Sequence, residues 1–269
     1  MTQGAGTGPS ASRPIPTRPP GGSLDPVALR AVLWDVDDTL FDYTGSDRTG
    51  IARHLAAEGL LTRYGTAERA FSLWREAMET HFARFLAGEI DFQEHRRARV
   101  RAFLAARLAD AEADAWFARY VRHYEAAWTL FPDAGPALEA VGRRFRQAVL
   151  SNASTAHQRR KLAVLGVRGH FEEVLGAGPQ GCAKPDPRAF LGACAALGLH
   201  PGEVVYVGDQ LETDAVAAQA AGLHGVWLDR TGGADGNAVP DGVRRIRGLD
   251  ELPGLLRPVI DFGAPSTFG

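Results

Sequence analysis

Two aspartates, Asp35 and Asp37, stand directly after the apolar run Ala31-Val32-Leu33-Trp34 and begin a spaced set of polar residues able to do chemistry together. Ser151 and Asn152 follow a second run, Gln147 to Leu150. Gly208 and Asp209 follow a third, Val204 to Val207, with Asp214 a few residues further on. Lys184 precedes a segment that opens like a helix, with Asp186 placed to cap it and Pro187 in its first turn. If the apolar runs are parallel strands, ligands bind beyond their carboxyl ends, and the whole set converges there. Carboxylates gathered in this way repel one another and must protonate or take up a cation. An oxygen-rich site with few protein ligands suits Mg²⁺, which keeps waters and shares phosphate oxygens. An ammonium and a hydroxyl beside it supply the donors that a phosphoryl group needs, and an aspartate can itself attack phosphorus.

The elements that must position these residues are legible in the hydrophobic pattern. Residues 1–26 contain five Gly and six Pro and no apolar stretch of signal-peptide type, which predicts a disordered arm. Strand character begins after Val27. From about Ser46 to Trp128 the period becomes helical: Phe71, Trp74, Met78, Phe82 and Leu86 step by three and four, as do Trp116, Tyr120, Tyr124 and Trp128. Ile51 to Leu60 and Phe92 to Leu108 add two more helices, and the aromatic stripes read as the core of this module. Beyond Phe131-Pro132-Asp133 strands and helices alternate: a strand at Gln147 to Leu150, a helix at His157 to Leu165, a strand at Val174-Leu175, a helix at Pro187 to Leu197. Val204 to Val207, Asp214 to Ala221 and Gly225 to Leu228 continue the rhythm. A short strand at Val243 to Ile246 and a helix near Leu249 to Leu256 close it. The expected fold is therefore α/β, a Rossmann-like parallel sheet with helices on both faces, interrupted by an α-helical insertion. The corresponding boundaries are 27–45 and 131–258 for the α/β core and 46–130 for the helical module, with 259–269 as a tail.

Composition narrows the class. The chain has 269 residues, 45% hydrophobic and 23% charged, which is ordinary for a globular protein. A net charge of −2 argues against a binder of nucleic acid polymers, and no uncharged apolar run is long enough to span a membrane. Cys182 and Cys194 cannot build a disulfide framework or a four-ligand zinc site, so a cytoplasmic location is expected. Of the 30 basic residues only Lys161 and Lys184 are lysine. Arginine cannot copy a compact ammonium in a tight site, which singles out both positions.

Taken singly, Asp-x-Asp is a common turn, Ser-Asn a common cap, and Lys184 an ordinary lysine. Their order and context say more. Asp35-Val36-Asp37-Asp38-Thr39-Leu40, Leu150-Ser151-Asn152, Lys184-Pro185-Asp186-Pro187 and Val207-Gly208-Asp209-Gln210-Leu211-Glu212-Thr213-Asp214 resemble, in order, the four motifs of the haloacid dehalogenase superfamily. The resemblance spans roughly Val27 to Leu256, and the inserted helices resemble the C1-type cap of its subfamily I. It implies that Asp35 is the nucleophile and a Mg²⁺ ligand. Asp37 would be the general acid/base, with its backbone carbonyl on the metal. Ser151 and Asn152 would hold phosphoryl oxygens, Lys184 would neutralise Asp35 and the phosphoryl group, and Asp209 would ligate Mg²⁺ with Asp214 behind it. Asp38 departs from the pattern, since many members carry glycine there; its side chain is expected to point away from the phosphate. Asp37 favours phosphate chemistry over carbon–halogen cleavage, because a leaving alkoxide needs a proton and a halide does not.

The implied activity is a Mg²⁺-dependent phosphatase acting on a small phosphorylated metabolite, such as a sugar phosphate or nucleoside monophosphate, through an aspartyl-phosphate. A phosphosugar mutase of β-phosphoglucomutase type and a non-catalytic binding relative are the alternatives. In the helical module, His95 to Arg101 is the densest charge. Most of it reads as a solvated face; Arg99 first and Arg96 second are the expected substrate contacts. Phe41 and Tyr43, which follow the first motif, could line the pocket or pack a hinge.

Overall fold

The computed structural model describes residues 29–176, 182–232 and 239–256, so the expected arm and tail lie outside the described residues. Six strands form one sheet in the order β3-β2-β1-β4-β5-β6, every neighbouring pair parallel. They are β1 (Ala31–Trp34), β2 (Arg146–Ser151), β3 (Glu173–Gly176), β4 (Val204–Gly208), β5 (His224–Leu228) and β6 (Arg244–Ile246). Strand order reverses between β1 and β4, and in doubly wound sheets a ligand sits at that crevice.

β1 is buried on both faces, as a central parallel strand must be. Alternate residues serve different layers. Val32 and Trp34 join the core beneath α6 (Ala134–Gly142), α7 (Thr155–Val164) and α10 (Leu252–Leu255). Ala31 and Leu33 join the core beneath α8 (Pro187–Leu197) and α9 (Ala217–Ala220). The expected two-faced α/β sheet is thus the observed one. Asp186 caps α8 by accepting from the Arg188 N–H at 2.8 Å, with Pro187 in the first turn, as the sequence signals.

Between β1 and β2 the chain forms α1 (Tyr43–Ala57), α2 (Leu61–Tyr64), α3 (Ala67–Leu86), α4 (Phe92–Leu104) and α5 (Asp110–Glu125). The aromatic stripes are its core: Trp74, Trp116, Tyr120 and Tyr124 are buried, with the Trp74 and Tyr120 rings 4.8 Å apart. α1 packs close on α5 because Gly50 faces the Tyr124 backbone, where a Cβ would come within 2.6 Å of the Tyr124 Cα. α1 begins at Tyr43, earlier than the apolar period suggests, because Asp42 caps it by accepting from the Gly45 N–H at 2.8 Å. Phe41 is fully buried and meets Tyr124 and Trp128 edge to face, and the sheet's first face and the helical module share one continuous apolar cluster. No helix among the described residues is long and apolar enough to cross a membrane.

Candidate active site

The carboxyl ends of β1 and β4, which flank the switch point, deliver the acidic residues. Asp35 follows β1, and its N–H donates to the Val207 carbonyl of β4 at 2.9 Å, which fixes the two strand ends together. Lys184 arrives from the loop before α8. Its ammonium has three protons and three partners: Asp35 Oδ1 at 2.6 Å, Asp214 Oδ1 at 2.7 Å and the Tyr206 hydroxyl at 2.7 Å. Tyr206 in turn donates to the Leu150 carbonyl at 3.0 Å, so a buried phenol on β4 ties the lysine to the end of β2. Burial opposes the charge on Lys184, but Asp35 and Asp214 outweigh it and hold the ammonium well above its ordinary range.

Asp214 can approach because residue 208 is glycine: a Cβ there would run into the Asp214 carboxylate. Asp214 lies in the π-helical turn Leu211–Val216 ahead of α9, and its Oδ2 accepts the Gln210 N–H at 3.0 Å. Carboxylate oxygens of Asp35, Asp209 and Asp214 all lie within 4.8 Å of one another. One lysine cannot neutralise three such groups. Burial raises Asp35 to about 7, with Lys184 pulling down and Asp214 and Asp37 pushing up. Burial raises Asp209 to about 8, with Asp35, Asp214 and Asp38 adding to it. A cluster of buried oxygen donors with unbalanced negative charge fits a hard divalent cation. Asp35 and Asp209 are the residues that could hold it, since Asp214 has one oxygen on Lys184 and the other on the Gln210 N–H, whereas Lys184 takes only Oδ1 of Asp35.

Thr39 adds a hydroxyl between these two, donating at 3.4 Å to Asp35 Oδ2 and 3.5 Å to Asp209 Oδ1. The Trp227 indole fixes the Asp209 backbone by donating to its carbonyl at 2.9 Å. Asp38 sits at φ 60°, a left-handed conformation that glycine adopts freely and aspartate tolerates. Its carboxylate turns to Thr44, accepting from the backbone N–H at 2.8 Å and the hydroxyl at 2.7 Å. Thus Asp38 serves the start of α1.

Ser151 is buried at the end of β2, and its Oγ accepts from the Ala153 N–H at 3.2 Å. Asn152 spends part of its amide on the Lys184 backbone. Its Nδ2 donates to the Lys184 carbonyl at 2.9 Å, and its Oδ1 accepts the Lys184 N–H at 2.8 Å. The side chain therefore positions Lys184, and neither bond uses its second N–H. Asp37 is gripped from α7: Lys161 pairs with Oδ1, and Gln158 Nε2 donates to Oδ2 at 2.7 Å.

The two cap arginines are not brought to the acidic cluster by any hydrogen bond among the described residues. Arg99 is 5% exposed, pairs with the buried Asp47 at 3.2 Å and lies over the Trp74 ring at 3.5 Å. Asp47 also accepts from the Trp74 indole at 2.8 Å and the Tyr120 hydroxyl at 2.6 Å, so this pair organises the cap interior. Arg96 lies over Phe92 and Phe117, at 4.5 and 5.3 Å. Nothing in the sequence alone singles out Gln158, Tyr206 or Thr39 as site residues. Lys161 does carry a signal, being one of only two lysines in the chain.

A parallel switch-point site with paired acids, a buried lysine and a helical cap defines a class of hydrolase, and comparison agrees. Residues 29–222 match the family model of haloacid dehalogenase-like hydrolases, and the chain belongs to that family. It is 33% identical over 229 residues to a phosphoserine phosphatase of Thermus thermophilus, covering 75% of this chain and 89% of that one. It is 27% identical to the N-acylneuraminate-9-phosphatase of Rattus norvegicus, over 86% of this chain and 95% of that one. A HAD-hydrolase from Bacillus subtilis, crystallised with magnesium, shares the fold with a TM-score of 0.70 at 20% identity, covering 86% of this chain and 100% of that one.

Proposed function

We propose that this enzyme, a phosphomonoester hydrolase, uses Asp35 as its nucleophile and Mg²⁺ as its cofactor to release phosphate from a small metabolite. The observation that carries the reading is the grip of Lys184 on Asp35 and Asp214 beside Asp209 at the end of β1 and β4. Bound Mg²⁺, held by Asp35, Asp209 and the Asp37 carbonyl, would neutralise charge on the transferring phosphoryl group. Lys184 holds the nucleophile in place and supplies a second positive charge. An Asp35 carboxylate oxygen forms the new bond to phosphorus while the bond to the leaving oxygen breaks, leaving an aspartyl-phosphate. Asp37, at the mouth of the site, gives its proton to that leaving oxygen. The same carboxylate then takes a proton from the water that attacks phosphorus, which frees phosphate and restores Asp35. Ser151 donates a hydrogen bond to a phosphoryl oxygen throughout.

The relatives named for phosphoserine and N-acylneuraminate 9-phosphate support a small phosphomonoester as substrate. Asp37, which a halide leaving group would not require, supports phosphate over halide release. The test is phosphate release from a panel of phosphorylated metabolites with Mg²⁺, comparing wild type with Asp35→Asn. The reading requires activity that Asp35→Asn abolishes and EDTA removes. Activity surviving in Asp35→Asn rejects it.

A further inference from the structure

Helix α7 presents two residues to the site that none of the four motifs contains. Lys161 is 1% exposed, lies 4.3 Å from the Phe41 ring centroid and 5.8 Å from that of Trp128, and pairs with Asp37 Oδ1. Gln158, one turn earlier on the same face, is fully buried. Its Nε2 donates to Asp37 Oδ2 at 2.7 Å and to Ser151 Oγ at 2.9 Å.

Counting donors and acceptors shows what this does. Both N–H groups of the Gln158 amide are used, one on each partner. Ser151 Oγ accepts from Gln158 and from the Ala153 N–H, so both lone pairs are taken and its single proton is left to donate outward. Each oxygen of Asp37 receives one donor from α7 and keeps a second acceptor position. The plane of the Asp37 carboxyl is therefore set by two contacts from one rigid helix. An ammonium buried among aromatic rings is not a device for stability, since an apolar side chain of the same length would fill that space without desolvation. Among the described residues its ion-pair partner is Asp37, and that points to the site.

We propose that Lys161 and Gln158 are positioning residues for the proton-transfer step, holding the Asp37 carboxyl toward the leaving-group oxygen. The inference rests on the phosphatase reading above. The proton passes from Asp37 to the bridging oxygen as the phosphorus–oxygen bond breaks, and neither α7 residue gains or loses one.

The experiment uses the full chain with Mg²⁺ and two probes: glycerol phosphate, whose alkoxide must be protonated, and 2,4-dinitrophenyl phosphate, whose phenolate leaves unaided. The readout is kcat/KM, which covers only the steps through departure of the leaving group. General acid catalysis contributes about 10²- to 10⁴-fold, so a misplaced acid is expected to cost Lys161→Met at least about tenfold more on the alkyl ester than on the aryl ester. Asp37→Asn sets the full size of that gap, and Lys161→Arg is expected to restore little of it because the guanidinium does not fit the ammonium's place. If Lys161→Met does not fold, Gln158→Met carries the same comparison. Equal losses on the two esters, or none, overturn the proposal. A wild type inactive on every monoester rejects the phosphatase reading and this inference with it; an active wild type with an unchanged ratio rejects the inference alone.

Discussion

Asn152 and Lys184 are joined in both directions, the amide donating to the lysine's carbonyl at 2.9 Å and accepting its N–H at 2.8 Å. A side chain at the end of β2 thus sets the backbone from which the Lys184 ammonium extends. Asn152→Ala is expected to lower kcat by on the order of tenfold or more, since a small misplacement of a charged group is costly, while KM changes less. Asn152→Asp keeps the acceptor and loses the donor, and steady-state kinetics should place it between the two.

The acidic cluster predicts how the metal-free protein responds to pH. Asp35 and Asp209 sit at about 7 and about 8, above their unfolded range near 4, chiefly because of burial. The folded state therefore binds more protons between these limits, and stability contributed by these two groups falls as pH rises from about 4 to about 8. In EDTA, Asp209→Asn is expected to gain melting temperature relative to wild type at pH 8, by about 2–4 °C for each kcal/mol relieved, and to lose that advantage at pH 5. Mg²⁺ should close the gap at pH 8, and metal binding should release protons, measurable by titration in weak buffer.

Tyr206→Phe removes the hydroxyl that accepts from Lys184 and donates to the Leu150 carbonyl. Two buried polar groups lose a partner, so chemical denaturation should show a loss of about 1–3 kcal/mol. Turnover should fall as well, because the lysine is then held by the two carboxylates alone.

In the cap, Asp47 is fully buried beneath Arg99, Trp74 and Tyr120. Asp47→Ala would strand the Arg99 charge and is expected to cost about 3–5 kcal/mol. The double variant Asp47→Ala, Arg99→Met should recover a large part of that, which denaturation of the single and the double variant beside wild type would show. Recovery would identify Arg99 as a partner of Asp47 before any role toward substrate.

The sheet was legible because parallel strands are short uninterrupted apolar runs, and β1 and β4 are buried throughout. The aromatic stripes placed the cap helices for a similar reason. α6 was harder to see, because Ala134–Gly142 is small and Gly-containing and owes its place to packing beneath β1 and β2. Among site residues, those with a fixed offset from a strand end could be read directly. Gln158 and Lys161 could not, because they act from a helix whose facing depends on how α7 rolls against the sheet. Arg99 misled for the converse reason: an arginine at helical spacing in a charged run gives no sign that a buried aspartate on another helix has claimed it.

The absence of a side chain at Gly208 has its own meaning. A single methyl group there would change no polar atom, yet it would occupy the volume the Asp214 carboxylate now fills. The displaced acid would let go of the ammonium, which would then be left to Asp35 and the Tyr206 hydroxyl. In this chain, alanine, elsewhere the mildest of replacements, would at one position on a strand part a buried acid from its lysine.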